Sequence, residues 1–154
     1  MAVKPIPEGL HSVTPQLAMD GASEAIAFYK SAFGAEEVMR APDPSGKKIW
    51  HAMVRFGNST LFVNDVFPEM GGKAQTAKLW IYLGGVDAAF QRAVSAGAKV
   101  TMPPADMFWG DRMCMVADKW GNEWCIAEHT KDLTPAEIRA AEAKAVAEMS
   151  AGKK

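Results

Sequence analysis

Three histidines, two cysteines and five tryptophans, set among scattered carboxylates, are the side chains of this 154-residue chain that could do chemistry. An imidazole nitrogen beside a carboxylate can relay a proton or hold a divalent ion such as Zn, Ni, Fe or Mn. His51 and Glu128 are the pair to weigh. Gly57-Asn58 reads as a hairpin turn joining Ile49 to Phe56 with Ser59 to Asp65. Pairing across it sets His51 opposite Asn64 and Met53 opposite Phe62, and strand alternation puts all four on one face. By the same alternation Trp124, Ile126 and Glu128 share a face of a closing hairpin. His51 with Glu128 then reads as a general acid–base pair or as half of a metal site. The plainer reading, which the sequence favours, hydrogen-bonds His51 within a mostly apolar core and leaves Glu128 as a solvated strand end. His11 precedes the first strand and His129 follows the last, so both read as surface groups. The three histidines make no recognisable ligand spacing. Cys114 and Cys125 fall inside strands without a Cys-x-x-Cys spacing and read as small buried thiols.

The elements that must position these groups occur twice. Gly57-Asn58 recurs as Gly121-Asn122, 64 residues on, each time opening a strand-like run. Phe28 and Phe90 mark helices 62 residues apart, and those helices stop at Gly34 and Gly97, 63 apart. A period this long points to one supersecondary unit used twice. In the first copy, Ser12 to Met19 reads as a strand, with Asp20 or Ser23 as cap of a helix carrying Ile26, Tyr29 and Phe33. Glu36 to Arg40 follows, then the hairpin across Gly57-Asn58. In the second, Leu79 to Leu83 is a strand, Asp87 caps a helix, and Lys99 to Met102 is a strand. Arg112 to Ala117 and Glu123 to Glu128 close it. The reading is an α+β single domain of two tandem βαβββ units, about residues 10–66 and 78–130. Thr134-Pro135-Ala136-Glu137 matches a capping box and starts a C-terminal helix over about 134–149.

Composition excludes several partners. A net charge of −1, 49% hydrophobic residues and no dense Lys/Arg patch argue for an ordinary globular protein and against nucleic acid or an anionic membrane. No run of about 18 apolar residues is present, and residues 1–7 lack the apolar core of a signal peptide, so the cytoplasm is the expected address.

Several stretches carry a family resemblance. They are Ile6-Pro7-Glu8-Gly9-Leu10-His11-Ser12-Val13-Thr14-Pro15, Ala27-Phe28-Tyr29-Lys30-Ser31-Ala32-Phe33-Gly34-Ala35 and Asp65-Val66-Phe67-Pro68-Glu69-Met70. Trp109-Gly110-Asp111-Arg112, Asp118-Lys119-Trp120-Gly121-Asn122-Glu123-Trp124 and His129-Thr130-Lys131-Asp132-Leu133-Thr134-Pro135-Ala136-Glu137 continue the series. In this order and spacing they resemble the vicinal oxygen chelate superfamily, specifically its PhnB-like branch, over nearly the whole chain. The resemblance implies a cleft between two half-barrels, often completed across a homodimer. Metal-dependent members hold a divalent ion with four inward His, Gln or Glu side chains. The matching positions here are Thr14, Phe62, Trp80 (or Lys78 after a shift of two) and Ile126, a set with no good ligand. No metal site and no cofactor are therefore expected, with a divalent metal on non-standard ligands as the alternative. A ubiquinone-precursor methyltransferase label is attached to this branch, but neither Gly71-Gly72 nor Gly84-Gly85 opens the Gly-rich strand-to-helix unit that S-adenosylmethionine usually requires.

Aromatic side chains fill the space that metal ligands leave. Trp80 and Trp124 are expected to face the cleft with Phe62 and Tyr82 beside them, a lining suited to a flat or apolar molecule. Core filling accounts for the same rings equally well. Trp120 sits in a turn, and Trp50 faces away. Met102 to Trp109 reads as a lid or rim. Arg112 could grip an anion bidentately, although a local Asp111–Arg112 network is the simpler reading. Met53, Met113 and Met115 would make the surface adaptable. The expected lining is Thr14, Gln16, His51, Phe62, Asn64, Trp80, Trp109, Arg112, Trp124 and Ile126. The expected function is binding of a small aromatic or apolar molecule by a homodimer. The alternative is a metal-dependent lyase, transferase or dioxygenase in which His51 and Glu128 are catalytic.

Overall fold

A computed structural model describes residues 3–151. The chain runs β1 (Gln16–Met19), α1 (Ala22–Phe33), β2 (Glu36–Pro42), β3 (Ile49–Phe56), β4 (Ser59–Asp65), then a 3-10 turn at Pro68–Met70. It continues β5 (Lys78–Tyr82), α2 (Val86–Ser95), β6 (Lys99–Asp106), β7 (Asp111–Ala117), β8 (Glu123–His129) and α3 (Pro135–Ala151). The order βαβββ thus occurs twice, in an α+β fold. Each unit forms one four-stranded sheet, ordered β1-β4-β3-β2 and β5-β8-β7-β6. Within each, the first strand lies parallel to the last, Gln16 beside Phe62 and Trp80 beside Cys125. Among the described residues no helix is long and apolar enough to cross a membrane.

Alternation along the strands gives each sheet a helix-facing side and an outer side. Leu17, Ala52, Val54 and Val63 of the first sheet and Cys114, Val116, Trp124 and Ile126 of the second join α1 and α2 in one buried core. Trp124 sits at its centre, its ring 5.0 Å from Tyr29, 4.8 Å from Phe33 and 5.4 Å from Phe56. Burying polar atoms there is tolerable because they are paired. Buried Asp118 accepts hydrogen bonds from Tyr29 Oη (3.1 Å), Trp124 Nε1 (3.0 Å), Asn122 Nδ2 (3.0 Å) and two backbone N–H groups of its own turn. Burial, and then the charge of Asp118, push the Tyr29 hydroxyl pKa well above its ordinary range.

The expected side-chain caps of α1 and α2 are not used, whereas the Thr134–Glu137 capping box of α3 is formed. Gly21 and Gly85 hold the cap positions in left-handed conformation, and the last strand of each unit supplies a carboxylate instead. Asp65 Oδ1 accepts from Gly21 N and Ala22 N at 2.8 and 3.0 Å, while its Oδ2 accepts from Ile49 N at 2.7 Å. Glu128 Oε2 accepts from Gly85 N and Val86 N at 3.0 and 3.5 Å. Orphan N–H groups at a helix start thus meet an anion reached across the fold, with the macrodipole favouring the same arrangement.

Two boundaries differ from expectation. Regular pairing of β1 starts only at Gln16, because Pro15 has no N–H to donate; its carbonyl accepts from Phe62 N at 2.9 Å. Most of the expected lid, Met102 to Trp109, is β6, which runs through Pro103-Pro104 to Asp106. An edge strand tolerates the prolines, and register shifts on both sides of Met102 absorb them.

Candidate functional site

The outer faces of the two sheets hold the groups that could meet a ligand. On the first, Gln16 Nε2 donates to Asn64 Oδ1 at 2.7 Å, and the His51 and Phe62 rings lie edge to face at 4.7 Å. Met53 pairs with Phe62 across the hairpin, as the two-residue Gly57-Asn58 turn requires. His51, Met53, Phe62 and Asn64 therefore share this face, and all are half-buried. Thr14 lies just before β1, its hydroxyl 3.5 Å from the His11 carbonyl oxygen.

The second outer face is not the expected one. Ile126 pairs with Cys114 and Trp124 with Val116, all turned toward the helices, so Ile126 and Trp124 belong to the core. The turns explain the slip. Phe56 pairs with Ser59 across two residues, but Ala117 pairs with Glu123 across five. Counting from the repeated Gly-Asn therefore carries Phe62 onto Ile126, whereas the outer-facing neighbours on β8 are Cys125 and Ala127. A one-residue slip in frame turns every side chain over. Trp80 and Tyr82 on β5 do face outward, 47% and 60% exposed. Beside them Met113, Cys125 and Ala127 form a small apolar cluster with Met102, Met107, Trp109 and Met115.

Glu128 also leaves the expected pair. Its carboxylate caps α2 on the helix side of the second sheet, while His51 lies on the outer side of the first; the structure does not join them. Arg112 does not pair with Asp111 but with two carboxylates on its own side of the sheet. Its guanidinium takes both oxygens of Asp87 (2.7 and 2.8 Å) and one of Asp106 (3.0 Å), and these bonds raise its pKa further and lower that of Asp87. Trp50 faces away from the site and packs on Phe67 at 5.5 Å; Trp120 ties α1 to the second turn by donating to the Asp20 carbonyl oxygen at 2.7 Å. Both cysteines are buried and free, and burial pushes the Cys114 thiol up to about 11.

One cluster was not foreseen. The carboxylate of Asp111, almost fully buried at the outer end of β7, accepts Tyr82 Oη (2.9 Å) and Trp109 Nε1 (3.0 Å) on Oδ2. Its Oδ1 lies 2.8 Å from His129 Nδ1, and His129 Nε2 lies 3.1 Å from Asp132. Burial works against the Asp111 charge, but the bonds from His129, Tyr82 and Trp109 outweigh it and bring its pKa below the usual carboxylate range. Asp111, and then Asp132, raise the pKa of His129; Asp111 raises that of Tyr82. A carboxylate at each ring nitrogen favours the doubly protonated imidazole, which is the direction of the His129 shift. Asp111 and His129 are direct cross-strand partners, and carrying the hairpin register from Ala117–Glu123 to its far end would have found them.

A space opens at the seam between the two units, along the edge strand β5. It is a cavity of about 720 Å³. Buried Phe56, Leu61 and Trp124, exposed Trp80 and Tyr82, and His11, Val13 and Pro15 from the segment before β1 line it. Trp124, though buried in the core, thus shows an edge to the cavity, whereas Ile126 does not line it. Thr14, Gln16, His51, Phe62, Asn64, Trp109 and Arg112 lie outside it as well.

Of the four expected positions, Thr14 lies just before β1, Phe62 and Trp80 face outward, and Ile126 turns to the core with the buried thiol of Cys125 as its outer-facing neighbour; hydroxyl, rings and a single thiol are a poor ligand set. Lys78, the alternative to Trp80, is hydrogen-bonded to Glu123, which holds its proton more tightly. Among the described residues no three His, Cys, Asp or Glu side chains gather as metal ligands.

Comparisons with known proteins place the fold. Residues 9–126 match the model of the Glyoxalase/Bleomycin resistance protein/Dioxygenase superfamily. The uncharacterised protein Mb0911c of Mycobacterium bovis is 40% identical over 139 residues, covering 84% of this chain and 91% of the relative. Among solved structures, TioX from Micromonospora sp. ML1 superposes with a TM-score of 0.65 at 24% identity, covering 77% of this chain and 98% of its own. A Bacillus cereus PhnB protein, described as a putative 3-demethylubiquinone-9 3-methyltransferase, gives 0.55 at 18% identity, covering 77% and 99%.

Proposed function

The chain belongs to the Glyoxalase/Bleomycin resistance protein/Dioxygenase superfamily, and we propose that it binds a small aromatic or apolar molecule in the seam cavity. The observation that carries this reading is an about 720 Å³ space walled by Phe56, Trp80, Tyr82 and Trp124. That volume falls within the range of small-molecule sites, and exposed rings beside leucines offer stacking and apolar burial. Trp80 is the residue to perturb, because it is half exposed in the absence of ligand and carries no core packing that its loss would disrupt. Assembly as a homodimer and residence in the cytoplasm are part of the same proposal.

Calorimetric titration with 2-naphthol tests it. Saturable 1:1 binding to the native protein, weakened at least about tenfold in Trp80→Ala, supports the reading. Absence of saturable binding of 2-naphthol, or equal affinity in the variant, would remove the cavity from consideration as the site.

A further inference from the structure

Four consecutive residues of β5, Leu79 to Tyr82, and Leu83 just after it line the seam cavity, which brings the strand's backbone to it. In a parallel pair, alternate residues direct both N–H and C=O to one neighbour. Glu123 N donates to the Ala77 carbonyl oxygen and Leu83 N to that of Ala127, each at 2.9 Å, which assigns the odd-numbered residues of β5 to β8. The N–H and C=O groups of Trp80 and Tyr82 therefore point to the opposite side. β5 is an edge strand, and among the described residues the first unit supplies no strand to pair with it. The equivalent edge of β1 differs, since Gln75 N donates to the Ala18 carbonyl oxygen there at 3.3 Å.

Resting on the cavity reading above, we propose that the ligand is an uncharged, amide-bearing aromatic molecule that pairs with the free backbone edge of β5 while its ring stacks in the cavity. Three features of the cavity converge on that chemistry. None of its lining residues is Asp, Glu, Lys or Arg, and His11 is its single basic side chain, so the wall is mostly uncharged. Two N–H and two C=O groups recur at a two-residue spacing of about 6.6–6.8 Å, the repeat of an extended amide chain. The rings of Trp80 and Tyr82 on β5, and of Trp124 on the neighbouring strand, line the same cavity. Main-chain pairing would supply affinity and the flanking rings selectivity, the usual division of labour when an extended ligand adds to a sheet edge.

The test has two readouts on the full chain. Without ligand, the Trp80 and Tyr82 backbone amides should exchange with deuterium far faster than Leu79 and Ile81. Protection of both in the ligand-free protein would mean that another strand, including one from a second copy, already occupies the edge, and would overturn the proposal. N-acetyl-phenylalanine N-methylamide should then bind and slow exchange at Trp80 and Tyr82. N-acetyl-phenylalanine methyl ester, which lacks one N–H, should bind about fivefold or more weakly by comparison. Equal affinity for the two, with 2-naphthol still bound, overturns edge pairing and leaves the cavity reading intact. No binding by any of the three probes brings down both.

Discussion

Replacing Asp65 by alanine should be among the most damaging single changes in the first unit, and the structure sets its size. The carboxylate is buried and accepts three backbone N–H groups, from Gly21, Ala22 and Ile49. Hydrogen bonds to a charged group contribute roughly 1.5–3 kcal/mol each, and removing the acceptor leaves buried donors unpaired. Gly21 lies near the surface and recovers water, so two bonds count in full, which gives a loss of about 3–6 kcal/mol. Glu128 does the same work at α2 with two longer bonds in more exposed surroundings, and Glu128→Ala should cost only about 0.5–2 kcal/mol, the range of a helix cap. Asp65→Asn should fall between them, since its amide keeps one acceptor but turns a donor toward another N–H. Urea unfolding followed by circular dichroism measures all three. Equal midpoints for Asp65→Ala and Glu128→Ala, at unchanged m-value, would refute the claim that an anchoring carboxylate is worth what its buried donors would lose.

Other outcomes follow from single contacts. His129 has its pKa raised by Asp111 and then Asp132, so its contribution to stability is fully present below the unfolded value of about 6.5 and disappears as pH rises through the higher folded value. An NMR titration of the three imidazoles should place His129 above 6.5 and bring it down in Asp111→Asn; an unshifted His129 would contradict the geometry. Gly110 adopts φ +99°, and a Cβ there would overlap the Lys131 carbonyl oxygen, so Gly110→Ala should lower stability by at least about 2 kcal/mol in urea. Tyr29→Phe removes a donor from buried Asp118 and should cost about 1–3 kcal/mol; a neutral effect would show that the remaining donors suffice.

Most of the architecture could be read in the sequence because it rests on short-range signals. The Gly57-Asn58 hairpin placed His51, Met53, Phe62 and Asn64 on one face, and Gly34, left-handed at φ 68°, ended α1 as its position suggested. The site was less legible because it depends on frames and on distant partners. The face expected for Trp124 and Ile126 was the wrong one because one turn is three residues longer than its counterpart, a difference that counting from the repeated Gly-Asn does not register. Glu128 looked free because its donors, Gly85 N and Val86 N, are backbone groups more than forty residues away. Arg112 looked committed to its neighbour Asp111, yet adjacent strand residues face opposite sides, and Asp87 and Asp106 are what its side can reach. The seam cavity joins residues around 13, 60 and 80, a convergence no local pattern encodes.

The central claim is that the seam cavity, and not the outer faces of the sheets, is where a small molecule binds. The five tryptophan indole N–H resonances report on it directly during titration with 2-naphthol. Trp80 and Trp124 line the cavity and should shift together and saturate, while Trp50, Trp109 and Trp120, which do not line it, hold their positions. Shifts at Trp109 with Trp80 and Trp124 unmoved would contradict the account and transfer the site to the Asp111–His129 end of the second sheet.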